Sequence, residues 1–369
     1  MNKKYQSPSV IDDTIYINSD DIIEYSGQKN VSSRVFNPFF CINKRVPKCL
    51  MDKIKSQDVD DLEKIIFGES PLLSKKIELA YWDKSETIDF DEMRVDLYGS
   101  VGLADDRSVL DGIIAKGDQI VTKGKTIRLG DVFEFLDIDV SDIYTKQQLS
   151  KPLLNRGTYY HITTSDLFKH LNMELQTKNR KMIRTRIDRL SKMLFRITKF
   201  REGIELPNPE NRQFIYPEEQ YFILDKNKLK NKNNFTADTY TNILVCVNDD
   251  YVKDLDSDGF LTRTRLLQVY HDFNSINGLP DFLKYLDSNK RSFIHTKKLS
   301  WLIDRYLGSK TEESMQGLNL YHTKKKLTDV IIKNAPKIFE HFQLRLEVLI
   351  NDDSKKVDYQ FFHAPGDSN

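Results

Sequence analysis

Two stretches of the chain combine residue types that hold nucleotides or metals, and each lacks an essential part. "VTKGKTIRLG" contains Gly124-Lys125-Thr126, the end of a phosphate-cradling loop. Such a loop needs a glycine five positions before Gly124, where Gln119 stands. Without it the backbone cannot wrap a phosphate, and a turn between strands is the simpler reading. "DLDSDGFLTRTR" sets Asp254, Asp256, Asp258 and Gly259 at calcium-loop spacing. Its twelfth position, which should supply a bidentate glutamate, is Arg265, with Arg263 nearby. A cation there repels a divalent ion. The acidic cluster reads instead as a helix N-terminus, where carboxylates cap the backbone and complement the dipole. No two of His161, His170, His271, His295, His322, His341 and His363 sit four apart. No G-x-S-x-G elbow, HExxH helix or paired Cys/His arrangement occurs. The expectation is a protein with no catalytic residue, no metal and no cofactor, and not an enzyme.

The remaining chemical signal is positive charge. Residues 177–201, "TKNRKMIRTRIDRLSKMLFRITKFR", carry ten Lys/Arg and a single acid, Asp188. The whole chain is nearly neutral, with 56 basic and 55 acidic residues. Residues 1–110 hold 15 basic and 20 acidic residues, so the basic character lies C-terminal to them. A charged run is ordinarily a solvated helix face. Here Ile183, Ile187, Leu190 and Leu194 fall at spacings of 4, 3 and 4, which marks one buried face. The opposite face then carries Lys178, Lys181, Thr185, Arg189 and Lys192, flanked by Arg184.

The elements around this helix give it a context. "KKIELAYW" reads as a strand. "ADDRSVLDGIIAKGDQIV" reads as a helix with an apolar stripe, capped by Asp105 or Asp106. "TSDLFKHLNMEL" is a second, with Thr164 or Ser165 as its cap. The basic helix follows, then strand character in "MLFRITKFREGIEL", a turn at "LPNPEN" and a strand in "NRQFIYPEEQYFILD". Helix, helix, basic helix, strand, turn, strand is the order of a winged helix, whose third helix enters the major groove. Lys178, Asn179, Lys181, Arg184, Thr185, Arg189 and Lys192 would then meet DNA, with Lys199, Arg201 and Arg212 on the wing.

"KNKLKNKNNF" is a polar linker, and the same order recurs beyond it. "RTRLLQVYHDFNSI" and "TKKLSWLIDRYLG" are helical, the latter ending at Gly308. "YHTKKKLTDVIIKN" begins a basic helix that Pro336 interrupts, and "FQLRLEVLINDDSKKVDYQFF" is two strands about a turn. The matching surface holds His322, Lys324, Lys325 and Thr328, with Lys355 and Lys356 at the wing tip. The expected fold is α+β and mainly helical: two tandem winged-helix DNA-binding domains with β-hairpin wings, plus an N-terminal arm. The expected divisions are 1–74 for an arm or loosely attached cap, 75–225 for the first domain, 226–236 for the linker and 237–369 for the second domain.

Bulk properties narrow the setting. A chain of 369 residues suits two domains, and 39% hydrophobic with 30% charged residues suits a globular protein. No apolar run has membrane-helix length, and the N-terminus lacks an apolar signal core. Cys41, Cys49 and Cys246 are too few for a disulfide framework, so a reducing cytoplasm is expected.

Residues 95–363 resemble plasmid replication initiators, in particular replication protein C of broad-host-range plasmids and TrfA-type initiators. "GLADDRSVLDGIIAKG" is similar to their early helix, and "TTSDLFKHLNMELQTKNRKMIRTRIDRLSKMLFRI" to their first helix-turn-helix. "KDLDSDGFLTRTRLLQVYHDF" resembles their Leu-Asp segment. "IHTKKLSWLIDRYLG" and "TKKKLTDVIIKNAPKIFEHF" resemble their second helix-turn-helix, with its proline near the helix end. The resemblance implies a sequence-specific protein that binds repeated origin sites (iterons), opens the adjacent duplex and recruits host factors such as helicase. It also implies exchange between a homodimer and a monomer that controls plasmid copy number. A winged-helix transcriptional regulator is the competing reading, and a metal- or nucleotide-dependent enzyme the third.

Overall fold

The computed structural model describes residues 9–11, 14–17, 36, 38–42, 45–56, 70–78, 90, 92–122, 126–140, 143–153, 157–225, 238–251, 271–273, 278–289, 297–350 and 356–363. The failed phosphate loop at 123–125, the acidic loop at 254–265 and the linker at 226–236 lie outside these residues, as does Lys355. In chain order the strands are β1 (Ser9–Ile11), β2 (Thr14–Ile17), β3 (Phe40–Cys41), β4 (Leu73–Glu78), β5 (Glu92–Gly99), β6 (Gly102–Leu103), β7 (Asp118–Thr122) and β8 (Thr158–Thr163). They continue as β9 (Met193–Arg201), β10 (Ile204–Glu205), β11 (Glu210–Gln213), β12 (Ile215–Ile223), β13 (Asn242–Val247), β14 (Leu344–Ile350) and β15 (Lys356–His363). The helices are α1 (Lys48–Ser56), α2 (Ala104–Lys116), α3 (Leu129–Phe135), α4 (Lys146–Leu149) and α5 (Thr164–His170). They continue as α6 (Thr177–Ser191), α7 (Leu279–Asn289), α8 (Leu299–Gly308), α9 (Leu320–Lys333) and α10 (Ala335–Phe342).

The class is α+β. Among the described residues one six-stranded antiparallel sheet runs β1-β2-β7-β8-β13-β12, and a second runs β10-β9-β5-β4 with β11 also on β9. Phe214 stands where the chain leaves β11 in one sheet for β12 in the other. Its ring meets Phe36, Phe195 and Tyr251 at centroid separations of 5.3, 5.1 and 4.9 Å. Strand β13, "NILVCV", is buried at every position. Ile243, Val245 and Val247 face one core, and Leu244 and Cys246 face the other. A strand covered on both faces has no reason to alternate with polar residues.

β13 pairs with β8 along its whole length and with β12, and Ile243, Val245, Val247 and Tyr251 pack in the first core. Part of the N-terminal segment packs against the first core. Phe36, Phe39, Phe40 and Cys41 are buried in the first core, and β3 pairs with β6. Gly102 permits that pairing, since a Cβ there would come within 2.6 Å of the Phe40 ring. Burial also raises the pKa of the Cys41 thiol to about 12, so it is an unreactive packing residue.

The second core is helical. Leu279, Phe282, Leu283 and Leu286 of α7 pack with Leu302, Ile303 and Tyr306 of α8, Leu327 and Ile331 of α9, and Phe361 of β15. The break at Pro336 is real: α9 ends at Lys333 and α10 begins at Ala335, placing the proline in a first turn where no N–H is required. The two cores meet through buried charges. Asp111 of α2 accepts from Tyr251 Oη at 2.8 Å and from Lys284 Nζ of α7. Asp281 of α7 accepts from Tyr306 Oη at 2.6 Å and from Lys310 Nζ at 2.9 Å. Burial alone would raise the Asp281 pKa, but Lys310 and Arg107 outweigh it and hold the carboxyl at about 2.

Candidate nucleic-acid interface

Helix α6 is fastened along one face and bare along part of the other. Ile183, Ile187 and Leu190 are buried, as the 4-3 spacing requires. Tyr240 Oη donates to the Arg180 carbonyl at 2.6 Å, and the Asn179 side chain donates to the Glu174 carbonyl at 2.7 Å. The helix before it, α5, is capped by Thr163, one residue ahead of the expected position: its hydroxyl accepts from the Asp166 N–H at 3.1 Å. α5 and α2 approach closely at Gly112, where a Cβ would meet His170 Cδ2 at 3.0 Å and Leu167 Cδ1 at 3.3 Å.

What stays on the surface is the N-terminal half of α6. Lys178, Lys181 and Thr185 are exposed. The Thr185 hydroxyl donates back to the Lys181 carbonyl at 2.9 Å. Arg184 lies over the Phe222 ring at 4.9 Å. Lys181, Arg184, Thr185 and Asp188 line a groove of about 460 Å³ together with Pro217, Gln220, Phe222 and Asp238.

Several expected members of this surface are engaged elsewhere. Arg189 is turned inward, donating from Nε and Nη2 to the fully buried Asp106 at 2.8 Å each. A helical wheel gives a direction, not what packs there, and the first turn of α2 occupies that direction. Asp105 takes Arg186 in the same way, at 3.1 Å. Arg212 is buried and donates to Glu210 at 2.9 Å, and Lys199 bonds the same carboxylate. Burial would raise the Glu210 pKa, yet Lys199 and Arg212 together bring it below its ordinary value. Lys192 reaches Asp188 at 3.0 Å, with both groups half exposed. Arg201 remains exposed at the end of β9.

In the second core, α9 starts at Asn319, whose side chain accepts from the His322 N–H at 3.1 Å. His322 and Lys325 are exposed. Lys324 bonds Asp304 of α8 at 2.7 Å, and the Thr328 hydroxyl donates to the Lys324 carbonyl at 3.0 Å. Lys356 pairs with Ile350 in the β14–β15 register. Two exposed aromatics escaped the charge-led reading. Tyr321 is 72% exposed in the first turn of α9, its ring 5.7 Å from that of His322. Trp301 lies on α8 between Lys297 and Arg305, at 5.4 and 5.8 Å. The Lys-x3-Trp-x3-Arg spacing was the available signal for the latter.

Among the described residues no cluster of three His, Cys, Asp or Glu side chains could hold a metal. Nor is any of their helices long and apolar enough to cross a membrane. No protein-family profile matches the chain, and no curated relative matches it. Two solved structures of domains 2 and 3 of RctB are similar to it, one of them a selenomethionine derivative. Each is 12% identical, has a TM-score of 0.42, and covers 78% of this chain and 90% of its own. At that TM-score, fold and role are left to the residues of this chain. None of these comparisons bears on the finer resemblance to TrfA-type initiators.

Proposed function

We propose that the chain is a sequence-specific double-stranded DNA-binding protein that initiates plasmid replication by binding iterons in an origin and promoting its opening. The observation that carries this reading is the exposure of Lys178, Lys181 and Thr185 on α6. Lys178, Lys181 and Thr185 project from a helix whose inner face is locked by Ile183, Ile187 and the Arg189–Asp106 pair. In a winged helix that half of the third helix meets base edges, with basic side chains neutralising phosphates. α2, α5 and α6 supply three helices, and β9 to β11 the wing. α7, α8, α9 and the β14–β15 pair repeat the order, so two readers in tandem would span a longer site than one. On this reading the protein is not an enzyme, works in the cytoplasm, and meets host helicase after binding. A homodimer is its candidate storage form.

The test is a footprint of the full chain on its neighbouring plasmid DNA at two salt concentrations. Regularly spaced direct repeats are expected, with log affinity falling against log salt by about 0.9 per phosphate neutralised. One inverted repeat would point to a transcriptional regulator instead. No protection at low salt would make α6 a solvated face.

A further inference from the structure

The groove between α6 and β12 holds more hydrogen-bonding capacity than the fold uses. Gln220 of β12 donates from Nε2 to Ser191 Oγ at 3.2 Å, and the Ser191 hydroxyl gives its own proton to the Asp188 carbonyl at 2.9 Å. The serine oxygen can therefore only accept from Gln220, which fixes the way the amide is turned. Its other end, Oε1, is enclosed and has no partner. A buried acceptor left unpaired is costly, and folding by itself gives no reason for it. Asp238 lines the same groove and makes no hydrogen bond or ion pair among the described residues. The groove also has a cationic and aromatic lining. Lys181 is exposed, and Arg184 lies over the Phe222 ring at 4.9 Å. Phe222 is braced in turn by Tyr240, their ring centroids 4.9 Å apart. A guanidinium backed by an aromatic ring is a flat surface on which a nucleobase can stack. The volume of about 460 Å³ falls within the range of about 300–1,000 Å³ common to small-molecule sites.

We propose that this groove binds a free guanine nucleotide. What the groove has to spare is acceptors, a carboxylate and an amide oxygen, and neither can donate. Guanine is the common base whose pairing edge sets two donors side by side, N1–H and the 2-amino group. Adenine, cytosine and uracil alternate donor with acceptor there. The Asp238 carboxylate takes N1–H and one amino hydrogen in parallel, and Gln220 Oε1 takes the other. The base stacks on the Arg184 guanidinium, and the Lys181 ammonium meets the phosphates. Lys181 and Thr185 also belong to the surface offered to duplex DNA, so nucleotide and duplex exclude one another. That last consequence rests on the DNA-binding reading, whereas the nucleotide site stands on the groove alone.

The test is titration calorimetry of the full chain with the diphosphates of guanosine, inosine, xanthosine and adenosine. Inosine lacks the 2-amino group, and xanthosine carries a carbonyl in its place. The wild-type protein should bind guanosine diphosphate, and inosine diphosphate about tenfold more weakly, the size of one hydrogen bond to a charged group. The xanthosine and adenosine nucleotides should bind more weakly still. Asp238→Asn turns one acceptor into a donor and should reverse the order, xanthosine above guanosine, a gain that misfolding cannot imitate. Lys181→Ala should weaken guanosine diphosphate and leave guanosine itself unaffected. Wild-type protein that binds no guanosine diphosphate at millimolar concentration overturns the proposal. So does equal affinity for all of the nucleotides, or an Asp238→Asn variant that still prefers guanosine. Saturating guanosine diphosphate should also release bound duplex DNA, and duplex that stays bound overturns the shared surface. A chain that binds the nucleotide and no duplex overturns the DNA-binding reading instead, a result distinguishable from failure of the groove.

Discussion

Replacing Arg189 by alanine should destabilise the fold while leaving the DNA-facing surface in place. Asp106 is fully buried, and its carboxylate accepts two bonds from Arg189 at 2.8 Å and one from the Leu103 N–H at 2.7 Å. Removing one partner of a buried ion pair typically costs about 3–5 kcal/mol, because the other charge is stranded. Two features soften that figure. The Arg189 side chain is 24% exposed, and Arg186 Nε lies 3.9 Å from the same carboxylate. The expected loss is therefore about 2–3 kcal/mol. Urea unfolding followed by far-ultraviolet circular dichroism should show a lower midpoint with an unchanged slope. Adding Asp106→Asn should recover part of the loss, since the stranded charge is then gone, and the double-mutant cycle should show coupling. Binding to duplex DNA, measured below the unfolding transition, should match wild type. Unchanged stability together with lost DNA binding would refute the placement of Arg189 and return it to the outer face.

Lys178→Ala/Lys181→Ala should do the reverse: stability unchanged, duplex affinity lower, and a salt dependence shallower by up to about two phosphates' worth. An unchanged salt slope would remove these lysines from the interface. At the junction of the two cores, Lys284→Met should cost about 3 kcal/mol by stranding Asp111, and Asp111→Leu/Lys284→Met should regain most of it. Equal midpoints for wild type and the single variant would show that the pair does not join the cores. His170 is nearly buried, and burial, assisted by the Lys116 charge, lowers its pKa to about 4. The unfolded chain then binds more protons between pH 6.5 and about 4, so this contribution is complete above the upper value and declines as pH falls, by about 3 kcal/mol in all. His170→Gln should flatten that part of the stability–pH curve, and an identical curve would count against it. Asn319→Ala should cost about 1 kcal/mol through loss of the α9 cap, read as a lower thermal midpoint.

The strongest local patterns survived folding. The 4-3 spacing of Ile183, Ile187 and Leu190 set the inner face of α6, because a helix of period 3.6 has few other ways to bury it, whereas Leu194, expected on the same face, lies in β9. Pro336 divided α9 from α10, since a proline cannot donate to the preceding turn. Lys178, Lys181 and Thr185 emerged exposed, where the wheel put them. The sheet partners of β5 and β13 were not legible, because strand pairing joins residues far apart in the chain. Only the tertiary structure could draw β13 back to β8. Only it could pack Phe36, Phe39 and Phe40 against Phe195 and Phe214. Long-range charge pairing was likewise invisible in advance. Arg189 and Arg212 are indistinguishable from Lys181 by composition, and what separates them is whether Asp106 or Glu210 lies within reach. Residue type and spacing determined which side chains could carry charge to a surface. The packing of α2 against α6, and of β11 against β9, decided which of them arrived there unspent.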